Sequence, residues 1–136
     1  MITAVDTSVL LDVFTADPKF GAQSKEALRS CIASGGLVAC EAVWAEVLSL
    51  FPTPDAGKQV MLRLGVEFSP LNLNAVLLAS GAWKEYRKRG GRRERVAADF
   101  LIGAHASLSA DQLLTRDRGF YRSYFSRLHV LDPSKP

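Results

Sequence analysis

Ile2-Thr3-Ala4-Val5-Asp6-Thr7-Ser8-Val9-Leu10-Leu11-Asp12 is the stretch on which the fold turns. Ile2 to Val5 is a short apolar run and reads as a buried strand. Val9, Leu10, Val13 and Phe14 then recur at helical spacing, which predicts a helix from Thr7 to Thr15. A strand passing directly into a helix is the first half of a strand–helix–strand unit, and one carboxylate, Asp6, stands at the junction.

The alternation continues outward from there. A helix is predicted from Pro18 to Ser34, ended by Gly35-Gly36, followed by a strand over Leu37–Cys40. Glu41 to Phe51 reads as a very apolar helix stopped by Pro52 and Pro54, then Asp55–Leu64 as a short helix and Val66–Ser69 as a third strand. Leu73–Lys88 and Arg95–Leu108 are long helical patterns flanking Gly90-Gly91. Gln112–Thr115, Gly119–Phe125 and Leu128–Leu131 complete the chain as strand, helix and strand. Strands separated by helices predict a three-layer α/β/α fold, with a parallel five-stranded sheet flanked by helices on both faces. With no repeat, low-complexity tract or linker, residues 1–136 are expected to form a single domain.

Composition narrows the class. A chain that is 48% hydrophobic and 23% charged is an ordinary globular one. No apolar run approaches the roughly 18 residues that span a membrane. The opening residues lack the basic and apolar regions of a secretory signal, so the expected location is cytoplasmic. Cys31 and Cys40 are too few for a disulfide framework and read as small buried thiols. The net charge is +3, and six basic residues fall between Arg87 and Arg95: Arg87, Lys88, Arg89, Arg92, Arg93 and Arg95. A solvated helix end and a phosphate-contacting patch both account for that stretch.

The acids fall in telling places. In an open parallel sheet, ligands gather outside the carboxyl ends of strands, where neighbouring connections diverge. Asp6 follows the first strand, and Asp117 closes Thr115-Arg116-Asp117 after the fourth. Each precedes a helix, so a capping role would also explain it. Glu46 is the only charge in Val43–Phe51, and a helix apolar nearly all round is expected to be buried; an arginine partner or local exposure is the alternative. Asp99 sits near the start of its helix, where the helix dipole alone favours an acid, and Gly103 one turn later permits a close approach. Clustered carboxylates repel one another unless a cation neutralises them. Oxygen ligands without clustered His or Cys point to Mg²⁺ or Mn²⁺, ions suited to phosphodiester cleavage.

Asp6-Thr7-Ser8, Glu46 in the third helix, Asp99 in Ala-Asp-Phe-Leu-Ile-Gly-Ala-His-Ala and Thr115-Arg116-Asp117 resemble a PIN domain. The opening Asp6–Asp12 and the single-domain length are similar to the VapC-type toxins of that family. The resemblance covers essentially the whole chain. It implies a Mg²⁺- or Mn²⁺-dependent endoribonuclease, the toxin of a type II toxin–antitoxin pair, held inactive by a VapB-type antitoxin and usually dimeric. It assigns the catalytic and metal-binding acids to Asp6, Glu46, Asp99 and Asp117. Asp6 and Asp99 are the expected principal contacts, with hydrolysis leaving 5′-phosphate and 3′-hydroxyl ends. Thr7, Ser8 and Thr115 are candidates to orient those acids, although turn and capping bonds also suit them.

Other residues have plainer readings. Arg116 and Arg118 are candidates for RNA contact or for surface ion pairs. Trp44, Leu48, Phe51, Leu73, Val76, Leu77 and Trp83 exceed what one face of each helix needs, and supply either core or a dimer or antitoxin surface. His105 and His129 read as structural. The alternatives to the toxin are a free-standing RNA-processing nuclease and a non-catalytic domain that binds RNA or protein. A dehalogenase-like phosphatase wants an Asp where Ser8 stands, and a receiver domain wants a lysine near Thr115-Arg116-Asp117, so both are disfavoured.

Overall fold

The computed structural model describes residues 1–92 and 97–135. Among these residues five strands and seven helices follow one another as β1 (Ile2–Val5), α1 (Thr7–Phe14), α2 (Gly21–Ser34), β2 (Gly36–Ala39), α3 (Glu41–Leu48), α4 (Pro54–Leu64), β3 (Val66–Phe68), α5 (Leu73–Lys88), α6 (Ala97–Ser109), β4 (Gln112–Leu114), α7 (Arg118–Tyr124) and β5 (Val130–Leu131). All strands pair in parallel, in the order β3-β2-β1-β4-β5. Right-handed crossovers put the helices between β1 and β3 on one face and those between β3 and β5 on the other. Accordingly α1 packs on α2 and α3, and α5 on α6 and α7. The core between the layers includes Val5, Leu10, Leu28, Leu37, Met61, Phe100, Leu113, Leu114 and Tyr121, all buried.

Several boundaries differ from the sequence reading for local reasons. α2 starts at Gly21 rather than Pro18, because Asp17 Oδ1 accepts the amides of Lys19 and Phe20 and closes a turn first. α3 stops at Leu48 rather than Phe51, since the residue before a proline is pushed out of helical conformation and Ser49 Oγ bonds Glu46 O. β5 is only two residues long because the Leu128 amide is used in a turn to Phe125 O. The predicted helix start at Arg95, with Arg93 and Arg95 of the basic stretch, lies outside the described residues. α4 and α5 begin as their sequences suggest, capped by Thr53 and Asn72 side chains.

No helix among the described residues is long and apolar enough to cross a membrane. Cys31 and Cys40 are buried free thiols. Of the surplus apolar residues, Trp44 is buried and Leu48, Phe51 and Trp83 pack against the core, whereas Leu73, Val76 and Leu77 are exposed.

Candidate active site

The strand order reverses beside β1: β2 and β3 extend to one side, and the chain then returns to lay β4 and β5 on the other. Ligand sites form at such a switch point. Register decides what meets there. Val5 pairs with Leu114, so Asp6 and Thr115 leave adjacent strands side by side, and Asp6 N donates to Leu114 O at 3.0 Å.

Hydroxyl groups then bond two of the acids, Asp6 and Glu46. Thr115 Oγ1 donates to Asp6 Oδ2 at 2.6 Å, and Ser8 Oγ to the same oxygen at 3.2 Å. The Asp117 amide donates to Thr115 Oγ1 at 3.0 Å. On the other side, Thr7 Oγ1 donates to Glu46 Oε1 at 2.8 Å. Asp99 lies in the first turn of α6, and its charge acts on Asp6. The three residues proposed to orient the acids thus all bond within the site.

Asp6 is only 7% exposed. Burial pushes its carboxyl up to about 6, opposed by the Thr115 hydroxyl and assisted by Asp99, while Ser8 and the Thr7 amide pull it down. Asp6 and Asp117 occupy the N-cap positions of α1 and α7, yet neither side chain makes a capping bond. The capping explanation therefore does not account for Asp6, whose oxygen is taken up by Thr115 and Ser8.

The expectation that Glu46 is buried is corrected. α3 buries Val43, Trp44 and Val47, leaving Ala45 and Glu46 exposed at its edge. Its apolar sequence is divided between core and site rather than enclosed all round. Arg116 is not a free cation for RNA. It grips Asp12 with Nε at 2.7 Å from Oδ2 and Nη2 at 3.0 Å from Oδ1, lies 4.1 Å over the Phe20 ring, and shares Asp12 with Ser24 Oγ at 2.7 Å. Sequence reading passed over Asp12, although an acid set among Val9, Leu10, Leu11 and Val13 signals a buried carboxylate needing a partner. His105 is buried, its pKa lowered by burial, with Nε2 2.8 Å from Ser69 Oγ, and His129 is exposed. Gly103 admits the Phe125 ring, which would stand 2.3 Å from an added Cβ.

Among the described residues, no three His, Cys, Asp or Glu side chains close on one point as a ready-made metal cage. Mg²⁺ tolerates that, since it keeps several waters and takes one or two carboxylates. A buried carboxylate raised by its own desolvation and by a second acid gains from a cation, and the donors around it are all oxygens. The residues fit a hard divalent ion.

An α/β protein with oxygen-rich acids at its switch point is a recognisable class. This chain belongs to the PIN domain family, whose model matches residues 3–126. Its fold is that of chains in VapBC toxin–antitoxin structures. Against VapBC-1 from nontypeable Haemophilus influenzae the TM-score is 0.75 at 19% identity, covering 99% of this chain and 100% of the other. Against VapBC2 from Rickettsia felis, bound to a DNA fragment from its promoter, the values are 0.74 and 17%, covering 97% and 98%. VapC20 of Mycobacterium tuberculosis, a Sarcin-Ricin loop cleaving toxin, superposes at 0.61 with 19% identity over 93% and 98%. No curated protein matches the chain in sequence.

Proposed function

We propose that this chain is a Mg²⁺- or Mn²⁺-dependent endoribonuclease and the toxin partner of a VapB-type antitoxin. The observation that carries the reading is the state of Asp6: a carboxylate buried at the switch point, raised to about 6 and facing the charge of Asp99. Membership of the PIN family and the likeness in fold to VapBC chains support it.

Asp6 and Asp99 would hold the cation, with Asp117 and Glu46 reaching its waters. When bound, the ion neutralises the acids and the scissile phosphate and makes water a stronger nucleophile. The chain's own residues do the positioning. Thr115 fixes the rotamer of Asp6 and spaces it from Asp117; Thr7 turns Glu46 back toward the site. Asp117 and Glu46 would then complete the shell or orient the attacking water. The exposed apolar face of α5, with Leu73, Val76 and Leu77, is the surface expected to be covered in a homodimer.

The test compares RNA cleavage by wild type and Asp6→Asn, with Mn²⁺ and with EDTA. Cleavage leaving 5′-phosphates, lost with EDTA and reduced at least about 100-fold in the variant, is expected. Activity that survives metal removal would end the proposal.

A further inference from the structure

We infer that the ion pair between Arg116 and Asp12 is a positioning device for the candidate site, one that fixes α1 against the β4–α7 junction and thereby places Asp6 relative to Asp117. The inference rests on the metal-dependent ribonuclease reading above. Both partners border the site in the chain. Arg116 stands between Thr115 and Asp117. Asp12 lies six residues beyond Asp6 on α1, the helix whose first residues, Thr7 and Ser8, bond Glu46 and Asp6.

Side chains tie this stretch to the junction at two places. Thr115 Oγ1 donates to Asp6 Oδ2 at 2.6 Å, just before α1 begins. Arg116 then grips Asp12 through Nε at 2.7 Å and Nη2 at 3.0 Å. At 1.5 Å of rise per residue the two ties are about 9 Å apart along the helix. One bond alone is a pivot; a second at that distance stops the helix from swinging about it. The fork is directional as well, because two parallel N–H groups meet the two carboxylate oxygens in one plane. Its surroundings hold it there. Ser24 Oγ of α2 donates to Asp12 Oδ2 at 2.7 Å, the Phe20 ring lies 4.1 Å from the guanidinium carbon, and the charges of Asp17 and Asp132 act on Arg116.

Stability alone does not explain such a pair. Its desolvation consumes most of the attraction, and apolar side chains of similar volume hold two elements together as well. What apolar packing lacks is direction, and the junction needs it. Thr115, Arg116 and Asp117 are the whole connection between β4 and α7, and a helix of seven residues does not hold itself rigid. The Arg116 side chain anchors that connection in the α1–α2 layer, on a carboxylate that is 4% exposed. The bond from the Asp117 amide to Thr115 Oγ1 then carries the placement to Asp117.

The experiment compares the full wild-type chain with Arg116→Lys, Asp12→Asn and the pair Asp12→Leu/Arg116→Met, which removes the fork without stranding a charge. Folding is checked by circular dichroism, and should a single substitution fail to fold, the pair decides. Mn²⁺ affinity is read by calorimetry, the order of the Asp117 amide by nuclear relaxation without metal, and RNA cleavage as separate kcat and KM. Each variant should bind Mn²⁺ at least about tenfold more weakly and lose kcat by a similar factor, with KM for RNA unchanged. The Asp117 order parameter should fall from the rigid value of about 0.85 toward 0.6. Combining Arg116→Lys with Asp12→Asn should do no more harm than either alone, since both act through one contact. Wild-type Mn²⁺ affinity in the folded Asp12→Leu/Arg116→Met pair overturns the inference and leaves the ion pair to stability alone. A raised KM in Arg116→Lys that Asp12→Asn does not share makes Arg116 an RNA contact and overturns it too. If wild type neither binds Mn²⁺ nor cuts RNA, the nuclease reading fails by itself. The relaxation data then decide the clamp, and an Asp117 as rigid in the variants as in wild type overturns it.

Discussion

At the scale of single residues, Asp6 is held in surroundings that disfavour its charge. Its folded pKa of about 6 lies above the ordinary 3.8, so the folded state binds its proton more tightly than the unfolded one. The associated stability is fully present below about pH 4 and is lost as pH rises through 6, a loss of about 3 kcal/mol. Urea unfolding in EDTA should therefore show Asp6→Asn more stable than wild type at pH 7 by up to that amount, with a flatter profile between pH 4 and 6. Mn²⁺ should raise the wild-type midpoint and leave the variant's in place. Equal stability of the two proteins at pH 7 would mean that the Asp6 charge is already compensated. Arg116 has the opposite character. Its partner Asp12 is only 4% exposed in its side chain, so Arg116→Ala strands a buried carboxylate and should cost about 3–5 kcal/mol in the same assay.

At the scale of elements, residues 89–92, the described start of the basic segment after α5, are fastened to the helix. Tyr86 Oη donates to Arg92 O at 2.7 Å, and the Gly91 amide to Tyr86 O at 2.9 Å. Gly91 lies so close to the Tyr86 ring that an added Cβ would stand 2.3 Å from it. The ring in turn packs against Phe100, Phe120 and Tyr124. Arg89 bonds Glu85 and sits over Tyr124, which commits it to structure, while Lys88 and Arg92 are exposed. The Lys88→Ala/Arg92→Ala double variant should lower the salt slope of single-stranded RNA binding by about 1.4 if both meet phosphates. An unchanged slope assigns the stretch to a solvated surface.

At the scale of the molecule, one reversal in strand order makes the site. Asp6 and Thr115 come from strands 109 residues apart in the chain and meet at 2.6 Å because β4 returns beside β1. The other feature at this scale is the unpartnered apolar face of α5, where Leu73 is 71% and Leu77 60% exposed. Leu77→Lys should convert a homodimer to monomer in sedimentation while leaving the fold intact by circular dichroism, since the side chain, 60% exposed, contributes little to the core. A monomeric wild type would leave that face to the antitoxin.

The periodicity of apolar residues by itself determined the succession of strands and helices, because a buried parallel strand and a two-sided helix leave different local patterns. It also determined the position of Asp6 after β1, a matter of chain order alone. Boundaries slipped where a side chain competed locally for backbone groups, as Asp17 does before α2 and Ser49 after α3. What only the tertiary structure decided was partnership. Glu46 turned out exposed and tied to Thr7, Arg116 was claimed by Asp12, and Asp132 was left with an unmatched oxygen. A carboxylate's partner is chosen by strand register and helix packing, which join residues far apart in sequence. No local pattern records that choice.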